Sequence, residues 1–161
     1  MTRTVPLIRP DLPAFEEVAD RFREVLANGR ITNFGPYVAE FEQMVSDYTG
    51  AHAVSTSSGT MGLLFTLQAL GIRAGSKVIL PSFTFMATAQ AIVYAGGRPV
   101  FAEVGEDLTI DVMDLAALLD QHPDASVILP VHMYGLPCDA GAIQRLADQR
   151  STDDHPVNVV Y

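Results

Sequence analysis

The sequence predicts an α/β protein of three layers, with a mostly parallel sheet between helices on both faces. Two observations carry this. Short, unbroken apolar runs recur along the chain, among them Val78-Ile79-Leu80, Val127-Ile128-Leu129 and Val157–Tyr161. Between them lie longer segments with apolar residues at helical spacing. Strands that are apolar on both sides and alternate with helices belong in a parallel sheet covered on both faces. The composition, 48% apolar and 18% charged over 161 residues, provides for a sizeable core.

The elements follow in order. Phe15, Val18, Ala19, Phe22, Val25 and Leu26 fall on one face of a first helix, with Pro13 suited to its first turn and Gly29 to its C-terminal cap. Gly35-Pro36 turns the chain into a second helix, whose buried face is read as Val38, Phe41, Val45 and Tyr48, ending at Gly50. Ala51–Thr56 reads as a strand and Ser57–Thr60 as a turn. The next helix carries Leu63, Leu64, Leu67 and Leu70 and stops at Gly71. After the turn Ala74-Gly75-Ser76, Val78–Leu80 reads as a buried strand closed by Pro81. Phe85–Tyr94 reads as a helix ended by Gly96-Gly97, and Pro99–Val104 as a strand with proline at a tolerated first position. Asp111 caps a helix through Leu119, and Val127–Leu129 is a strand closed by Pro130. Asp139 caps a helix through Arg150, and Val157–Tyr161 is the last strand.

Charge and cysteine content narrow the function classes. The net charge is −9 with no Lys/Arg cluster, a poor match to nucleic acid or an anionic membrane. Cys138 is the single cysteine, so no internal disulfide forms and a reducing compartment fits. Met1–Pro6 lacks the apolar core of a signal peptide, and no apolar run reaches the length of a membrane span, so the cytoplasm is expected. Lys77 is the only lysine, and chemistry that needs a lysine amine must use it or do without.

The region with most chemical content is Ser57-Ser58-Gly59-Thr60. An extended run, a small polar turn and a helix start together make an anion site. The first helical N–H groups have no partner in the helix, and the peptide dipoles put partial positive charge there. The same residues also serve as an ordinary N-cap. In parallel sheets ligands bind beyond the carboxyl ends of the strands. Those ends carry Ser57–Thr60, Ser82–Phe85, Glu103–Glu106 and His132–Gly135. Glu103 and Glu106 read as solvated rim, since nothing beside them suggests a nucleophile or metal site. Tyr134 reads as core. Cys138, with no evident base nearby, reads as a small buried residue rather than a nucleophile.

Gly29–Pro36 with Phe41-Glu42, Ser58-Gly59-Thr60, Leu70-Gly71-Ile72, Pro81–Phe85 with Ala87-Thr88-Ala89, Pro99-Val100-Phe101 and Pro130–Gly135 occur in a characteristic order. This ordered set resembles the nucleotide-sugar aminotransferases, pyridoxal-phosphate enzymes of fold type I, over nearly the whole chain. The resemblance implies that Ser58, Gly59 and Thr60 bind the cofactor phosphate and that Phe85 stacks on its pyridine ring. It brings Thr32, Phe34 and His132 forward as substrate-side residues, with a plain turn and a structural histidine as alternatives. It implies amino transfer from glutamate to a keto sugar nucleotide, with dehydration as a related activity, and a homodimer.

The chain departs from that pattern in one respect. The family needs a lysine for the internal Schiff base and a carboxylate against the pyridine nitrogen. Neither matches a residue here, and Lys77 precedes a strand, at its far end from the expected site. No catalytic and no metal-binding residue is therefore assigned. Residues 1–50 are expected to form an N-terminal helical segment and 51–161 the N-terminal part of the large domain, with the small C-terminal domain absent. A chain so composed is expected to be inactive alone, to hold pyridoxal phosphate weakly if at all, and to self-associate through uncovered apolar surface. A non-catalytic fragment or interaction module, keeping only the phosphate turn and subunit contacts, is the alternative reading. A generic nucleotide-binding domain is disfavoured, because no G-x-G-x-x-G or Walker lysine pattern occurs.

Overall fold

The unbroken apolar run of β1 (Lys77–Pro81) sets the architecture. Ile79 belongs to one buried cluster, while Val78 and Leu80 belong to a second, so the strand is covered on both faces. A computed structural model describes residues 9–161. Its four strands, β1, β2 (Arg98–Ala102), β3 (Ala125–Ile128) and β4 (Asn158–Val159), form one sheet in the order β2-β1-β3-β4. Every pairing is parallel, as the apolar runs predict.

The described residues form two compact units, one ending at Ser55 and the other spanning Thr56–Tyr161. The first contains α1 (Phe15–Asn28) and α2 (Pro36–Thr49). The second contains α3 (Gly59–Ala69), the sheet, α4 (Met86–Tyr94), α5 (Val112–Gln121) and α6 (Ala140–Arg150). In this unit Leu115 and Leu119 of α5 and Ile143 and Ala147 of α6 pack with Ile79 and Ile128 on one face of the sheet. Leu67 of α3 and Ala91 and Ile92 of α4 pack with Val78, Leu80 and Val127 on the other. These are the three expected layers.

The helix ends follow the residues that mark them. Gly29 and Gly50 close α1 and α2 in the left-handed region, at φ 69° and 71°, where glycine carries no Cβ penalty. Asp111 Oδ1 accepts from the N–H of Met113 and Asp114, and Asp139 Oδ1 from that of Ala142. Pro13 falls just before the N-cap Ala14 rather than inside the first turn.

Four expectations need correction. Ala51–Thr56 forms no strand. Its N–H groups turn to α2 instead, Ala53 donating to Ser46 Oγ at 2.9 Å and Ser55 to Glu42 Oε1 at 2.8 Å. These side-chain acceptors replace a ladder. The face of α2 read as buried is largely open, as is the apolar face of α1. No residue of α2 is buried, and Tyr48 is 92% exposed, because two helices of 14 residues cannot cover both of their own apolar stripes. The second strand begins at Arg98 and ends at Ala102, and Val104 instead bridges antiparallel to Ile110. Tyr134 is exposed, with φ 54°, in a short 3₁₀ turn, and does not join the core.

Lys77 stands at the amino end of β1. Its Nζ donates to Asp124 Oδ1 at 2.8 Å and lies 3.4 Å from His122 Nδ1. The Lys77 hydrogen bond is the main reason the Asp124 carboxyl titrates below its usual range. What that pairing adds to stability is present at neutral pH and fades as acid protonates Asp124. The larger energies lie in the core. Ile79→Ala is expected to lower the unfolding free energy by about 2–5 kcal/mol. Asp111→Ala, which removes only a cap, is expected to cost about 1 kcal/mol. Urea titration of the three chains checks both values, and equal losses would contradict the assignment.

Candidate functional site

A cleft of 610 Å³ opens at the carboxyl edge of the sheet, built wholly within the second unit. That volume suits a small molecule, for which sites run to about 300–1,000 Å³. Its walls are the first turns of α3 and α4 and the segment after β4, with Gly59, Thr60, Phe85, Thr88, Val160 and Tyr161 among the lining residues.

Ser58 shapes the first wall. It is the extended N-cap of α3, and its Oγ accepts from Met61 N–H at 3.2 Å. The first helical N–H bond runs from Gly62 to the Ser58 carbonyl at 3.0 Å. Among the described residues the N–H groups of Gly59 and Thr60 are then left without a partner. A Cβ built on Gly59 would meet nothing within 4 Å. Its missing side chain therefore answers no crowding inside the protein and leaves the amide face open to a ligand. An anion with several acceptor oxygens fits two free N–H groups at a helix start.

The turn after β1 shapes the second wall. Ser82 N–H donates to the Ala102 carbonyl at 2.8 Å, tying the turn to β2. The hydroxyls of Thr84 and the buried Thr88 lie 2.9 Å apart and clamp the start of α4. Phe85, between them, is the extended N-cap residue of α4, and it is 73% exposed. A core aromatic would be covered. Phe85 instead offers a flat apolar face beside the free amides, which suits a phosphorylated aromatic ring.

Tyr161 supplies the third wall, a role that its sequence context alone does not assign. The signal available was its place at the carboxyl end of the last apolar run. Its hydroxyl donates to the Ala140 carbonyl at 3.4 Å, and its ring stacks on His132, with centroids 5.1 Å apart and planes 10° apart. Burial, then Cys138 and Asp139, push its phenol above the usual range, so it is neutral at physiological pH.

The remaining candidates are placed as follows. His132 touches the site through Tyr161. Thr32 and Phe34 belong to the first unit, where Phe34 is exposed and adopts φ 58°, uncommon for an aromatic residue. Glu103 and Glu106 are exposed, as read. Cys138 does have a base nearby, contrary to expectation: its sulfur lies 3.4 Å from His132 Nδ1. Burial nonetheless raises its thiol pKa, and the side chain is only 5% exposed. Lys77 lines none of the cleft and sits at the opposite end of β1. Among the described residues no group of three or more metal-ligating side chains occurs, and no helix is long and apolar enough to cross a membrane.

Comparison with known proteins finds relatives over nearly the whole chain. The model of the DegT/DnrJ/EryC1/StrS aminotransferase family matches residues 14–152. The chain is 34% identical over 161 residues to the dTDP-4-amino-4,6-dideoxy-D-glucose transaminase of Escherichia coli, covering 99% of this chain and 41% of that protein. It is 34% identical over 136 residues to the 3-oxo-glucose-6-phosphate:glutamate aminotransferase of Bacillus subtilis, covering 83% of this chain and 30% of that protein. Among solved structures, NtdA from Bacillus subtilis with bound cofactor PMP superposes with a TM-score of 0.79 at 34% identity, over 83% of this chain and 31% of that one. The chain thus spans between 30% and 41% of the length of these relatives.

Two outcomes follow from the cleft. Gly59→Ala is expected to fold as well as the parent or better, by up to about 1 kcal/mol, since alanine is the stronger helix former. It is expected to weaken inorganic phosphate binding in equilibrium dialysis, and unchanged binding would contradict the open-amide reading. Iodoacetamide should alkylate Cys138 slowly at neutral pH in the folded chain and readily in urea, a contrast that mass spectrometry reads directly.

Proposed function

The chain belongs to the DegT/DnrJ/EryC1/StrS aminotransferase family, and from that premise we propose that it forms part of the cofactor-binding domain of an enzyme that transfers an amino group from glutamate to a keto sugar carried on a nucleotide. The observation that carries this reading is the meeting of unpartnered amides and an exposed aromatic face in one cleft.

Pyridoxal phosphate is the cofactor that the family and its cofactor-bound neighbours indicate, and the residues present fit it. The N–H groups of Gly59 and Thr60 would hold the phosphate, with the Ser58 cap keeping them aimed. Phe85 would offer its face to the ring. When bound, the cofactor supplies an electron sink for the charge that develops as an amino group moves between carbon skeletons. This chain's own part is binding, orientation and, through Phe85 and Tyr161, shielding of the ring from water.

A nucleotide-linked sugar is favoured by the E. coli relative, matched over 99% of this chain. The exposed, positive-φ Phe34, with Thr32 beside it, is assigned to the substrate side. Residues 51–161 correspond in this reading to the first part of the large domain. The single, buried cysteine fits a reducing cytoplasm. The exposed apolar faces of α1 and α2 support a homodimer.

A second reading rests on Lys77. The chain's only lysine is held by Asp124 at the far edge of the sheet, so this chain brings no lysine amine to the cleft. Amino transfer requires one from elsewhere in the whole enzyme, and the chain by itself acts as a binding and association module.

Phe85→Ala is expected to weaken pyridoxal phosphate about three- to tenfold while leaving inorganic phosphate affinity unchanged. Parallel dialysis of the two ligands checks this, and equal losses for both would count against ring stacking. In sedimentation the chain should associate as its concentration rises; a compact monomer throughout would remove the homodimer from the reading.

A further inference from the structure

The segment from His132 to Cys138 folds back on itself. Gly135 N–H donates to the His132 carbonyl at 3.2 Å, and Leu136 N–H to that of Met133 at 2.9 Å. Tyr134 and Gly135 both hold positive φ, at 54° and 79°, a costly arrangement for a tyrosine. The turn is closed by a side chain: His132 Nδ1 accepts from Cys138 N–H at 3.2 Å. Cys138 is anchored in the core cluster of Ile79, Leu115 and Ile143, so the imidazole is fixed from the protein interior. The ring held in this way lies parallel to that of Tyr161, with centroids 5.1 Å apart.

Tyr161 lies just past β4. Val160 N–H donates to the Ile128 carbonyl, and the Tyr161 phenol reaches Ala140 O at 3.4 Å. Its ring lines the cleft.

We infer that His132 is a positioning residue, one that holds Tyr161 as the cleft wall against which a flat ligand ring seats, without itself touching that ligand. The inference rests on reading the cleft as the pyridoxal phosphate site. It assigns His132 a role distinct from substrate contact. It also accounts for the imidazole here: its Nδ1 accepts from the Cys138 amide while its face stacks on Tyr161.

The experiment is a double-mutant cycle on the 161-residue chain, reading pyridoxal phosphate affinity and the induced circular dichroism of the bound ligand. His132→Asn keeps an oxygen able to accept from Cys138 N–H and removes the ring. It is expected to weaken binding roughly three- to tenfold and to reduce the induced signal. Tyr161→Ala is expected to do the same, and the double variant to lose no more than either single one. Additive losses overturn the inference, as does a His132→Asn chain that binds with parental affinity and signal. Should His132→Asn fail to fold, His132→Gln takes its place in the cycle. Nuclear Overhauser contacts between the His132 and Tyr161 rings, read without ligand, are expected in the parent chain, and their absence also overturns the inference. A parent chain with no affinity for pyridoxal phosphate counts against cofactor binding by this chain alone, and the ring contacts then decide the inference.

Discussion

One apolar layer makes the cleft. Leu67 of α3 and Ala91 and Ile92 of α4 lie in a single cluster with Val78, Leu80 and Val127 of the sheet. Both helices are pressed onto the same strands, and both begin at the same edge. The free amides of one and the exposed ring of the other are thereby brought within one small volume. Neither feature is distinctive alone. A capped helix start occurs in most proteins, and a surface phenylalanine is common. Their convergence, which depends on burial well below the surface, turns them into a recognition site.

The sheet and its helices were legible because period and punctuation agreed. Val78-Ile79-Leu80 reads as a doubly covered strand since neither of its faces tolerates polarity, and the structure covers both. Asp111 and Asp139 announce helices that their carboxylates do cap. Gly59, Thr60 and Phe85 were likewise visible as a turn and a strand end, and they meet. Three things were not legible. The backbone of 51–56 looked like a strand, but its partners are the side chains of Ser46 and Glu42, which no periodicity announces. The imidazole beside Cys138 comes from six residues upstream through a strained turn, and backbone strain leaves no composition signal. The place of Tyr161 is not legible because it depends on what the ring stacks on.

The first unit shows the limit of helical patterning. The spacing of Phe15, Val18, Phe22 and Val25 marks the correct face of α1, and the helix is there. Periodicity identifies a face that wants cover; it does not say what provides it. Here that face and its counterpart on α2 stay largely open, although Arg21–Glu40 and Tyr37–Glu24 contacts are made. Such pairs at exposed positions contribute little.

The walls of the cleft differ in how firmly they are held. Phe85 springs from a turn tied to two strands and to the hydroxyl pair of Thr84 and Thr88. Tyr161 is held chiefly by its stack on His132. The Ser82 amide, bonded to the Ala102 carbonyl, and the Val160 amide, bonded to the Ile128 carbonyl, each sit beside one wall. Hydrogen exchange at these two amides would thus follow the opening of each wall on its own.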